Sequence, residues 1–226
     1  MKSVIKLLLS TLLLMLLFSS CQSNSNVESS NVVAAKSVVR EMIDWKGASI
    51  GNEIPSWVFD AVDQNYEAIS KLPQFENRMI FFAEDQGKNL DMLKSWVNNF
   101  NVQSAFSKSV SNFVITKFGG EQSGSKADET SESFLTEITS TFSKTEINGL
   151  SKELDYWVKT RYIDNMAESS EDIYQYFVVY AIDKNELKLQ LDRALGLVEA
   201  KDESQKKLKA EVSAAIAEVQ FFAENQ

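Results

Sequence analysis

The stretch IYQYFVVYAI, residues 173–182, decides how this chain folds. Its aromatic and β-branched side chains fall on both alternating faces, as a strand buried on both sides requires. Asp183-Lys184-Asn185-Glu186 follows at once, with the D-x-x-E spacing of a helix capping box. The helix it opens carries Leu187, Leu191, Ala194, Leu195 and Val198 on one side. Upstream, GLSKELDYWVKTRY (149–162) alternates Leu150, Leu154, Tyr156, Val158, Thr160 and Tyr162 with Glu153, Asp155, Trp157, Lys159 and Arg161. That period of two marks a half-buried strand. IDNMAESSED (163–172) between the strands reads as an acidic hairpin loop. Residues 148–182 are therefore expected to form an antiparallel hairpin that carries most of the stability. Trp157 falls on the polar side of its strand, which makes it a candidate partner contact. Plain packing is the alternative for it, as plain core is for Tyr174, Tyr176, Phe177 and Tyr180.

RMIFFA (78–83) is a compact apolar run of strand type. Leu90, Leu93, Val97 and Phe100 begin a helical period that continues through Phe106, Val110, Phe113, Val114 and Phe118. Asn98, Asn99 and Asn101 are placed to kink or split it, and Gly119-Gly120 ends it. EQSGSKADET (121–130) reads as a loop, and Phe134, Leu135, Ile138 and Phe142 as a further helix. Near the start, VVAAKSVVREMIDW (32–45) puts Val32, Ala35, Val39, Met42 and Ile43 on a helical stripe. WKGASIGNEIPSWV (45–58) is coil with Trp57 as an anchor on the core, and a helix over about 57–70 stops before Pro73.

At the other end, AKDESQKK (200–207) interrupts the helical pattern. Leu208, Val212, Ala215, Val219 and Phe222 then resume it, at spacings that define a long C-terminal amphipathic helix over 206–226. Its apolar stripe needs a cover. Either the N-terminal helix supplies it, or Leu208, Val212, Val219 and Phe222 contact a partner. The near-identical hexapeptides FFAEDQ (81–86) and FFAENQ (221–226) are expected on a strand end and a helix end, so their likeness reads as coincidence.

The 226 residues carry a formal net charge of −9, and 44% are hydrophobic. An acidic chain repels phosphates, so nucleic acid is not expected as a partner. There is no His and one Cys. That removes Ser/His/Asp and Cys/His nucleophile arrangements and the usual zinc sites. No phosphate-cradle, nucleophile-elbow or EF-hand motif is present. No catalytic residue, metal site or cofactor is expected, and the catalytic chemistry left open is that of a carboxylate pair or a Ser-Lys dyad.

The single cysteine has a specific setting. Lys2 and Lys6 precede an apolar run, Leu7 to Phe18, interrupted only at Ser10 and Thr11, and Ser19-Ser20 lead into Cys21. This is the order of a secretory leader, too short to span a bilayer, which takes roughly 20 apolar residues. It also resembles a bacterial lipoprotein signal, which implies that Cys21 becomes an acylated first residue; plain secretion is the alternative. Gln22, in place of an acidic residue, implies sorting to the outer membrane. The organisation expected is a signal peptide over 1–20, a polar tether over 21–31, a domain over 32–200 and the C-terminal helix over 201–226.

IPSWV (54–58) and the tyrosine-rich strand running into Asp183-Lys184 resemble the twenty-kilodalton bacterial outer-membrane lipoprotein family, whose relatives include flagellum-associated lipoproteins. The likeness covers about residues 54–198. It implies an α+β fold, a small mainly antiparallel sheet covered by helices on one face, and no shared active site. Periodicity alone leads to the same architecture. The expected function is a lipid-anchored, non-enzymatic cell-envelope protein, held to the membrane at Cys21 and binding another envelope protein. A carrier or sensor of a hydrophobic ligand is the first alternative, and a carboxylate-dependent glycan-processing enzyme the second.

Overall fold

A computed structural model describes residues 38–119, 129–164 and 169–224. Cys21 and the segments expected as leader and tether lie outside the described residues, as do residues 32–37, 120–128, 165–168 and 225–226. The fold is α+β. Five strands, β1 (Val38–Trp45), β2 (Arg78–Gly87), β3 (Ser151–Asp164), β4 (Ser169–Asp183) and β5 (Phe221–Ala223), form one sheet in the order β1-β3-β4-β2-β5. Every pairing is antiparallel except β2 with β5.

The 173–182 stretch occupies the middle of this sheet. Its alternation divides two cores. Tyr176, Val178, Tyr180 and Ile182 join one, and Phe177, Val179 and Ala181 join the other. The larger core lies under α3 (Leu90–Asn99), α4 (Val102–Gly119), α5 (Glu129–Lys144), α6 (Lys184–Gly196) and α7 (Glu203–Glu218). The opposite face carries a smaller cover than that, and the expectation of helices on one face understated it. There α1 (Ser56–Val62) and α2 (Tyr66–Ser70) set Trp57, Val58, Ala61 and Ile69 against Ile80, Phe82 and Phe177.

Local signals account for most boundaries. Asp183 caps α6 by accepting from the amides of Asn185 and Glu186 at 2.8 and 3.1 Å. The long helical pattern splits because Phe100 is extended, and Asn101 then caps α4 by accepting from Ser104 N at 3.0 Å. Helix 57–70 is likewise two helices, broken at Gln64, whose φ of 57° is left-handed.

Three expectations are corrected. Residues 38–45 are a strand, β1, paired with the edge of β3. A bulge between Met42 and Asp44 breaks the alternation, and this irregularity imitated the spacing of a helical stripe. The acidic loop over 163–172 is mostly strand, because Arg161 faces Asp172 and Tyr162 faces Glu171 across a continuous ladder. The C-terminal helix ends at Glu218, where Val219 turns extended. Phe221–Ala223 then pairs with Ile80–Phe82, so α7 stops short of this strand. Among the described residues the N-terminal segment 38–45 is a strand on the far edge of the sheet and not a helix over α7. Here the pairing partner overrides the helical period: β5 closes an apolar edge of β2 that would otherwise stand open.

Candidate functional site

The helices gather over β2, β4 and β5. Beyond them, residues 161–164 of β3 and 169–175 of β4 are exposed or half-exposed, as is β1 from Val39 to Trp45. This outer half of the sheet presents aromatic and charged side chains on both faces.

On the helix side, Trp157 is half-buried and packs edge-on against Tyr174, with ring centroids 5.8 Å apart. Lys159 Nζ sits 5.3 Å from the Tyr174 ring centroid. Arg161 grips Asp172 with two bonds, at 2.8 and 3.1 Å, and Lys159 Nζ reaches the same carboxylate at 3.1 Å. The hydrogen bonds from Arg161 and Lys159 hold the Asp172 carboxyl down at about 2. Further in, Asp155 accepts from Lys46 Nζ and from the Tyr176 hydroxyl, each at 2.7 Å. Burial opposes the ionisation of Asp155, but these two bonds outweigh it and keep the carboxyl below its usual range. Burial and the same carboxylate push the Tyr176 hydroxyl well up.

The opposite face has a different surface. Arg40 stacks over Tyr162 at 5.8 Å, and Lys88 bridges to Glu171 at 2.7 Å. Tyr162, Lys88 and Glu171, with Gln86, Gly87 and Ile173, line an open depression of about 480 Å³.

Two further concavities exist. One, of about 210 Å³, lies between α6 and α7 over Leu187, Leu191, Leu195 and Ile216, with Lys188 paired to Asp192 at its rim. The other, of about 380 Å³, is lined by Phe100, Asn101, Ser104, Lys108, Asn112 and Glu224 among others. Burial raises the Glu224 carboxyl, and the charge of Asp85 raises it further, while Lys108 works against both. Among the described residues no group of three His, Cys, Asp or Glu side chains is placed to hold a metal ion.

The partner-contact residues expected from sequence separate. Trp157 stands opposite Tyr176 at the border of the outer sheet, half-buried and packed against the helix-side core. Leu208, Val212 and Phe222 are buried in the helix-side core and Val219 packs against it, so their apolar atoms are spent within the chain. Lys159, Arg161, Asp172 and Tyr174 escaped notice as a group. Their shared face follows from the period of two, but their pairing needs the register, which the ladder continuing to Asp164 and Ser169 supplies and a loop over 163–172 would not.

Comparison with family models, curated proteins and solved structures finds no match. No helix among the described residues is long and apolar enough to cross a membrane.

Proposed function

We propose that this is a lipid-anchored, non-enzymatic protein of the bacterial cell envelope that binds another envelope protein through the outer half of its sheet. The observation that carries this reading is the half-exposed cluster of Trp157, Tyr174, Lys159, Arg161 and Asp172, set on the β3–β4 ladder at the border of the helix-side core. Aromatic side chains and Arg dominate binding energy at protein interfaces. An ion pair already formed in the free protein loses little entropy on docking. The anchor reading rests on Cys21 and the leader before it. It agrees with the resemblance to the twenty-kilodalton lipoproteins, and both favour the outer membrane. The concavities give the carrier alternative little support. The apolar one between α6 and α7 holds about 210 Å³, below the roughly 300–1,000 Å³ of ligand pockets, and the 480 and 380 Å³ depressions carry charged side chains in their linings.

Cells expressing the wild type and Cys21→Ser, labelled with radioactive palmitate and partitioned in detergent, test the anchor. The wild type should take up label and enter the detergent phase, and the variant should do neither. Equal partitioning of the two removes the anchor.

One observation favours a second reading, hydrolysis by a carboxylate pair: the raised Glu224 carboxyl close to Asp85 at the edge of a 380 Å³ depression. That reading expects release of reducing ends from purified peptidoglycan, abolished by Glu224→Gln. Absence of release by the wild type ends it.

A further inference from the structure

The first three residues of the second hexapeptide, Phe221–Ala223, lie beside the start of the first. FFAEDQ begins at Phe81 in β2, FFAENQ begins at Phe221 in β5, and the strands run parallel with a one-residue offset, Phe81 beside Phe222 and Ile80 beside Phe221. The tail is held as a peptide in a groove would be. Its backbone is read by Ile80 N donating to Gln220 O at 3.5 Å and by Glu224 N donating to Phe82 O at 3.0 Å. Ser109 Oγ, on α4, donates to Ala223 O at 3.4 Å. Its side chains alternate into two pockets. Phe222 enters between Phe106 and Phe113, at 5.2 and 5.8 Å, and Phe221 meets Tyr66 on the opposite face at 6.2 Å. Main-chain bonds for affinity and alternate side-chain pockets for specificity define strand addition to a sheet edge.

The geometry points to an exchangeable tail: the β2 edge is a strand-acceptor groove, and β5 of a second copy of this chain takes it in place of the chain's own. Three features support that occupant. The described ladder between β5 and β2 is only three residues long. The tail leaves α7 through Val219, which is extended, and Gln220, two residues outside helix and strand that form a hinge able to redirect it. An empty β2 edge exposes Ile80, Phe81 and Phe82, so an opened copy requires another strand. The segment of matching chemistry that each copy can release is its tail, because β2 is locked against β4 along Arg78–Gly87. The contacts made are the same in either arrangement. The short hinge gives the chain's own tail an effective concentration of the order of millimolar, so exchange is expected only at comparable protein concentration.

Ser70 and Gln220 make the test direct, because both are on the surface and Ser70 Oγ donates to Gln220 Oε1 at 3.4 Å. In full chains carrying Cys21→Ser, which removes the only native thiol, Ser70→Cys is placed in one chain and Gln220→Cys in another. The two are mixed at about millimolar concentration, oxidised mildly and separated without reductant. Exchange predicts that the mixed Ser70–Gln220 disulfide dimer predominates over the two like-with-like dimers. Adding Phe222→Ala to the Gln220→Cys chain should reduce it about tenfold or more. A single chain carrying both cysteines should close on itself as a monomer when dilute. If the double variant closes while the mixture yields only like-with-like or Phe222-independent products, the tail does not exchange. If the double variant fails to close when dilute, the tail does not sit in the groove, and the proposal falls with it.

Discussion

Residues 176–182 of β4 are buried on both faces, whereas residues 169–175 of the same strand are exposed or half-exposed on both. One strand thus serves two environments. The inner part is apolar and aromatic and meets two cores, so its register is enforced from both sides. The outer part has lost its helices and is held by cross-strand pairs: Arg161 with Asp172, Lys159 with Asp172 and Lys88 with Glu171. A sheet built this way buries one end in two cores and leaves the other end paired across the strands and open to contact.

The comparison breaks most visibly in the core. Phe177 is fully buried and packs on Phe82 with ring centroids 6.1 Å apart. Phe177→Ala should cost about 3–5 kcal/mol in urea unfolding. Tyr162→Ala, on the outer half, should cost less than about 1 kcal/mol. Equal losses would mean that the two halves are not energetically distinct.

Asp155 stands where the halves meet. Asp155→Ala removes the acceptor shared by Lys46 and Tyr176 and should cost about 1 kcal/mol, reduced from the value for a buried charged bond by its partial exposure. An unchanged denaturation midpoint would move the boundary inward.

The outer half should reveal itself through pH. Asp172 has its carboxyl lowered from 3.8 to about 2 by Arg161 and Lys159. A lowered carboxyl stabilises the fold fully above its unfolded value, and that contribution fades as pH falls from about 4 to about 2. Asp172→Asn should flatten this part of the stability profile, and salt should shrink the difference between the two proteins. A profile unchanged by the substitution would show that the triad does not hold the hairpin.

The smallest effect on stability is expected from Lys159→Ala, which leaves Arg161 on Asp172 and should cost less than about 0.5 kcal/mol in urea unfolding while weakening capture of the proposed envelope partner. Loss of both together would make the residue a structural one.

The same contrast explains what could be read from the sequence. β4, β3 and the cap at Asp183 were legible because burial on both faces, a period of two and an acceptor at a helix start are local properties. The α3–α4 break was legible for the same reason, since Asn101 signals its own cap. β1 was not, because the bulge after Met42 spoils its period. β5 was not either: three residues have no period, and only the open edge of β2 makes them a strand. At the candidate site Trp157 was legible from its place among polar residues. Its ionic neighbours were not, because the acidic residues at 171 and 172 looked like loop until their partners across the ladder were known.

The central claim is that partners meet this protein at the bare outer half of its sheet and not on its helices. A photo-activated benzoylphenylalanine at Arg161 in intact cells, compared with the same group at Met92, an exposed position on α3, tests it most directly. The account predicts a discrete protein adduct at Arg161, none at Met92, and loss of the Arg161 adduct when Trp157→Ala is added. Adducts at Met92 with none at Arg161 would contradict it.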